Sequence, residues 1–174
     1  MTPARALASI LLAGCATAGT SSGGPGESTT PPARAAATVG SRAPAFSLTS
    51  VDGAPAGIVP GKVNLVFFWA TWSAPDQKSM PKLQEVYERR GEAGLAILGI
   101  SVDDEVTYVA EAARQWGARF PIAWDHDRKI VDLYKPSCEP MYFVIDRSGI
   151  VRFAHCGYRD GEADRIDDEI ASLL

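Results

Sequence analysis

The stretch Asn64 to Pro81, NLVFFWATWSAPDQKSMP, constrains the chain most. Its first half is a short apolar run rich in aromatic and β-branched residues, which predicts a buried strand. Its second half is a helix start. Ser73 is followed three residues later by Asp76, with Pro75 inside the first turn. That is a capping-box pattern, with Asp where Glu or Gln is commoner. A strand therefore runs directly into a helix N-terminus, with Trp69-Ala70-Thr71-Trp72 at the junction.

The flanking segments follow the same alternation. Phe46 and Leu48 alternate with polar positions and predict a short strand, closed by the Asp52-Gly53 turn. Met80, Leu83, Val86 and Tyr87 recur at helical spacing, with Pro81 expected to kink the helix and Gly91 to stop it. Leu95 to Val102 is a continuous apolar run, as expected of a parallel strand covered on both faces. Asp103-Asp104 is expected to start the next helix, with Val106, Val109, Ala113 and Trp116 inward. A short helix is expected at Arg128 to Tyr134. A hairpin is expected around Arg147-Ser148-Gly149, and a last helix from Gly161 with Ile166, Ile170, Leu173 and Leu174 inward. This reads as an α/β fold with a central mixed β-sheet, flanking helices and a closing antiparallel hairpin.

Three segments resemble a known family. Trp69-Ala70-Thr71-Trp72, with Pro81 five residues after Asp76, is similar to the active-site segment of the thioredoxin superfamily, and most closely to its TlpA/ResA-like members. Gly40 to Leu48 resembles the entry segment of TlpA-like proteins and peroxiredoxins. Pro140-Met141-Tyr142-Phe143-Val144-Ile145-Asp146 resembles the family's cis-Pro strand. The resemblance implies a thioredoxin-like domain over residues 38–174, thiol-disulfide oxidoreductase ancestry, no cofactor, and a cis peptide bond before Pro140. It also implies a client groove formed by Trp72, Pro75, Glu139 and Pro140, with Tyr142 as a further candidate; Trp69 is read as core and Trp72 as an exposed contact.

The departure falls on the reacting atoms. Ser73 and Asp76 stand where the family has its two cysteines. A helix N-terminus favours a thiolate, which attacks a disulfide and is resolved by a second thiol. A hydroxyl does not ionise under those conditions, and a carboxylate resolves nothing. Phe67 also occupies the position of the buried acid that thioredoxins use as proton acceptor. Ser73 and Asp76 are therefore read as a helix cap and a dipole partner. Serine catalysis would need an adjacent base.

Cys138 and Cys156 remain in the domain as a candidate redox pair. With Arg147, Ser148 and Gly149 as the loop, Asp146 faces Ile150 and Cys156 faces Pro140. Cys138 then lies diagonal to Cys156, roughly 7–8 Å away, which is long for a disulfide. A slip of two residues would set the cysteines opposite. A slip of one would put them on opposite faces. The alternatives are a disulfide, as suits an oxidising compartment, or two separate buried thiols. A copper set of Cys138, Met141, His155 and Cys156 is a further alternative. It is weakened because His155 and Cys156 alternate across a strand.

The chain begins MTPARALASILLAGC. One Arg, a brief apolar core too short to span a bilayer, and Leu12-Ala13-Gly14-Cys15 resemble a lipoprotein signal with a lipobox. Residues 1–15 are read as the signal, with Cys15 as the lipidation site. Residues 16–37, rich in Gly, Ser, Thr, Pro and Ala, are read as a flexible tether spanning roughly 25 Å. Ala16, rather than Asp, after Cys15 favours the outer membrane. The expectation is an exported protein, lipid-anchored at the periplasmic face, that meets a protein or peptide client. Net charge −4 argues against nucleic acid. Three functions stay open: a redox-inactive binding module, an oxidoreductase working through Cys138 and Cys156, and a copper-binding module.

Overall fold

The computed structural model describes residues 36–174. The export segment with Cys15, and the tether as far as residue 35, lie outside the described residues. Ala37, the last residue assigned to the tether, is buried against the domain.

The predicted strand forms as β3 (Val63–Trp69), and all seven of its residues are buried. It lies at the centre of a five-stranded sheet of order β5-β4-β3-β6-β7. β4 (Leu95–Ser101) pairs parallel to β3, and β5 (Ile122–Trp124) pairs parallel to β4. β6 (Met141–Ile145) is antiparallel to β3, and β7 (Val151–Cys156) closes the hairpin. A separate antiparallel pair, β1 (Ser47–Thr49) and β2 (Pro55–Gly57), precedes them.

Strand alternation divides the core. Leu65, Phe67, Trp69, Tyr142 and Val144 face α1 (Ala74–Arg90) and α4 (Glu162–Leu173), meeting Met80, Leu83, Val86, Ile166 and Ile170. Val109 and Ala113 of α2 (Val109–Gln115) join this layer. Val66, Phe68, Ile100, Phe143 and Ile145 face the other way, against Ile130 and Tyr134 of α3 (Lys129–Tyr134). Each fully buried large apolar side chain contributes roughly 1.5–3 kcal/mol, so both layers are needed to hold the sheet. Arg89 and Arg90 both bond Asp167, tying α1 to α4.

Three expectations need correction. Val106 is 44% exposed, because Val106–Tyr108 form a 3₁₀ turn and the α-helix begins only at Val109. α3 begins at Lys129 because Arg128 takes a left-handed backbone. The hairpin register changes within the ladder. Asp146 N–H donates to the Ile150 carbonyl, as the loop requires, but a bulge then shifts the pairing so that Cys156 faces Met141, not Pro140. Arg152 leaves the ladder at that point, and its Nε donates to Asp146 Oδ2 at 2.5 Å. α1, for its part, runs unbroken through Pro81.

Gly99 shows how tightly the centre is packed. A Cβ there would lie 2.7 Å from Ile122 Cδ1 and 2.9 Å from the Phe67 ring. Gly99→Ala is therefore expected to destabilise the fold by about 1–3 kcal/mol, read as a lower urea midpoint with unchanged slope.

Candidate functional site

The site forms where β3 ends and α1 begins. Ser73 takes an extended backbone and caps α1, its Oγ accepting from the Asp76 N–H at 3.4 Å. The reciprocal half of the capping box is not made. The Asp76 carboxylate turns inward instead and accepts the Ala70 N–H at 3.1 Å. Asp76 is 0% exposed, and its Oδ1 has no partner. Burial pushes its carboxyl up to about 7. The Ser73 hydroxyl and the Ala70 N–H draw it down, while the negative charges of Glu139 and Asp103 add to the rise. The serine is thus the cap that the sequence predicts. The aspartate is an interior acid.

Asp103, read from sequence only as a helix start, is the second support of the junction. It accepts the Thr71 N–H at 3.1 Å and the Thr71 hydroxyl at 2.7 Å. Ser101 Oγ donates to it at 2.8 Å. Trp124 Nε1 donates to its backbone carbonyl at 2.7 Å. The available signal was an acidic residue just past the C-terminal end of a parallel strand, beside the β3–α1 loop.

The Glu139–Pro140 peptide is cis, as the resemblance implied. Trp72, Pro136, Ser137, Cys138 and Glu139 line one open cavity. Trp72 is 71% exposed, and Pro75 is also exposed. Pro140 is buried, and so are Trp69 and Tyr142, which belong to the core rather than to a surface. Tyr142 stacks on Phe67, and Trp69 meets Trp116 edge-on. The physical reason is alternation: both point to the α1 side of the sheet. Burial pushes the Glu139 carboxyl up; Arg128 draws it down and Asp103 adds to the rise.

Cys138 and Cys156 form a disulfide, with Cα atoms 5.7 Å apart. Register does not decide it. Cys138 lies before β6, in the segment that turns at Pro140, and the Gly157 N–H donates to the Pro140 carbonyl at 2.8 Å. That bond brings the end of β7 back to the turn. Cys156 is exposed and Cys138 half-buried. His155 points the other way, with Nδ1 3.1 Å from Glu162 and Nε2 2.6 Å from Glu169. The set Cys138, Met141, His155 and Cys156 is therefore not gathered on one side of the sheet.

Residues 39–154 match the model of the AhpC/TSA family. The chain belongs to that family. It is similar to the thiol-disulfide oxidoreductase ResA of Bacillus thuringiensis (strain Al Hakam), 33% identical over 115 residues, which are 65% of this chain and 66% of the relative. The chain thus spans just under two thirds of that relative's length. ResA of Geobacillus kaustophilus is 32% identical over 68% of this chain and 70% of the relative. Among solved structures, a thiol:disulfide interchange protein of the thioredoxin family from Chlorobium tepidum TLS superposes with TM-score 0.70 at 25% identity, covering 78% of this chain and 97% of that one. StoA from Bacillus subtilis shares the fold, with TM-score 0.64 at 18% identity over 72% of this chain and 96% of that one. The AhpC/TSA domain here is thus a TlpA/ResA-like member of the thioredoxin superfamily.

The interior acid gives a pH prediction. The folded Asp76 carboxyl holds its proton to about pH 7, whereas its ordinary value is 3.8. Between those values the folded state binds a proton that the unfolded chain has released. Stability from this group is full below the lower value and falls as pH rises to the upper one, by about 4 kcal/mol as an order of magnitude. Asp76→Asn should remove that descent. Urea midpoints that track wild type across pH 4–8 would contradict a buried, neutral Asp76. Ser73→Ala should cost about 1 kcal/mol through the lost cap, again by urea midpoint.

Proposed function

We propose that this protein is an exported, lipid-anchored thioredoxin-fold module that holds a protein or peptide client and performs no dithiol chemistry at the β3–α1 junction. The single observation that carries the reading is the state of the two family-chemistry positions. Ser73 is used as the helix cap, and Asp76 is buried and bonded to Ala70. Neither supplies a sulfur. Beside these positions, Trp72 and Glu139 line one open cavity, with an exposed indole next to the residue that precedes the cis-Pro, and Pro75 is exposed on the helix start. A client strand laid there has backbone to pair with and an aromatic face to cover.

Membrane attachment rests on the N-terminal sequence. Arg5, the brief apolar core and Leu12-Ala13-Gly14-Cys15 support lipidation at Cys15, and Ala16 supports the outer membrane. Cys15→Ala is expected to move the protein from the membrane fraction to the soluble periplasmic fraction. A variant that stays with the membrane would remove the anchor from this reading.

A second reading is favoured by one observation, the Cys138–Cys156 bond beside the same cavity. It would make the protein an oxidoreductase through that pair. The two readings separate in an insulin-reduction assay on the full chain. The first expects no turnover above background. Turnover abolished by Cys138→Ser would establish the second. The paired change Ser73→Cys and Asp76→Cys should restore a disulfide at the helix start and a thiol at position 73 that titrates below the ordinary value of about 8.5. A folded double variant with an unshifted thiol would show that the helix start does not activate sulfur.

A further inference from the structure

The end of the sheet that carries the groove combines exposed aromatic surface with acidic charge. Trp72 is 71% exposed and Tyr108 69%, the two largest exposures among the aromatic side chains of the described residues. Thr71, beside Trp72, is bound to Asp103, so the chain that follows Asp103 adjoins the groove. That chain is Asp104-Glu105, both exposed, and then the turn carrying Val106 and Tyr108. Glu139 lines the same cavity as Trp72. Below them Asp76 holds an oxygen without a partner.

The opposing charges are few. Arg128 lies close enough to act on Glu139, and its guanidinium also donates to the Val102 carbonyl at 3.4 Å. Lys135 is exposed on the segment leading to Cys138. Lys129 is paired with Asp127 at 2.6 Å. The Asp125 carboxylate is occupied by the Ile130 and Val131 N–H groups. Among the described residues, Glu139, Asp104 and Glu105 make no ion pair, so these carboxylates stay available on the end of the sheet that carries Trp72.

We propose that the client segment taken by this groove is cationic: an extended chain whose Lys or Arg lies over Trp72 with its charge toward Glu139, Asp104 and Glu105. This rests on the client-groove reading and names the class of client. The recognition is physical. A desolvated cation over an indole is attracted by the ring's quadrupole. Carboxylates on the rim add attraction and reject acidic chains. An aliphatic Lys or Arg stem also covers apolar surface at Trp72.

The test uses the full chain in detergent and three labelled, end-blocked peptides of one length, in which every third residue is Lys, Gln or Glu. Fluorescence anisotropy gives the affinities at low and at near-physiological salt. The Lys peptide should bind at least about fivefold more tightly than the Gln peptide, the size of one partly desolvated cation–π contact. That preference should shrink with salt. Glu139→Gln should reduce the Lys-over-Gln ratio, and Trp72→Ala should weaken the Lys peptide. Both side chains lie outside the packed core, so the fold should be retained, checked by circular dichroism. Equal binding of Lys and Gln peptides, both weakened by Trp72→Ala, would overturn the charge preference and leave the groove. A preference for the Glu peptide would do the same. Binding of none of the three, or binding indifferent to Trp72, would overturn the groove and the preference together.

Discussion

Everything in this domain depends on the complete burial of β3. A strand with neighbours on both sides and helices on both faces has no solvent to satisfy its backbone or cover its side chains. Its N–H and C=O groups are met by β4 on one side and β6 on the other. Its side chains alternate between two separate apolar layers. Asn64, the one polar residue in it, is accommodated at the strand's start, where its amide bonds Val59 and Lys62. With β3 held this rigidly, the turn that follows it is placed to within the tolerance of a packed core. That turn is the candidate site.

The junction between β3 and α1 is stabilised by two carboxylates that do different work. Asp103 lies at the end of β4 and is fully used by Thr71 and Ser101. It pins the loop to the sheet. Asp76 lies under the helix start and is half used, with one oxygen on Ala70 and the other without a partner. In a family whose chemistry at this position is a thiol, a buried acid of this kind leaves the helix start capped and closed. Outside it, Trp72 and Glu139 line one open cavity together with Cys138 of the disulfide.

Much of this was legible in the residues, and the gaps have physical causes. Ser73 was readable as a cap because capping is local: the partner N–H is three residues away. Asp76 was readable as a first-turn acid but not as an interior one. Its burial depends on how the helix start packs into the domain, and charges distant in sequence, Glu139 and Asp103, act on it there. Tyr142 offered no sign of which side of the sheet it would take until its pairing with Phe67 was known. The Cys138–Cys156 bond could not be argued from register, because the bulge at Arg152 and the turn at Pro140 both move the ladder.

The sequence by itself determined the order of strands and helices, the strand-to-helix junction at Trp69 to Asp76, and the serine and aspartate that stand at positions 73 and 76 of it. Those are properties of periodicity, capping and residue identity, and they need no partner from elsewhere in the chain. Only the tertiary structure decided which acid is buried and which cysteines meet. Burial and pairing are relations between elements far apart in the chain. Trp69 and Trp72, three residues apart, take the core and exposed places that the end of the strand pattern predicts. One lies at the end of a strand closed on both faces, and the other lies just past it, where the sheet no longer covers the chain.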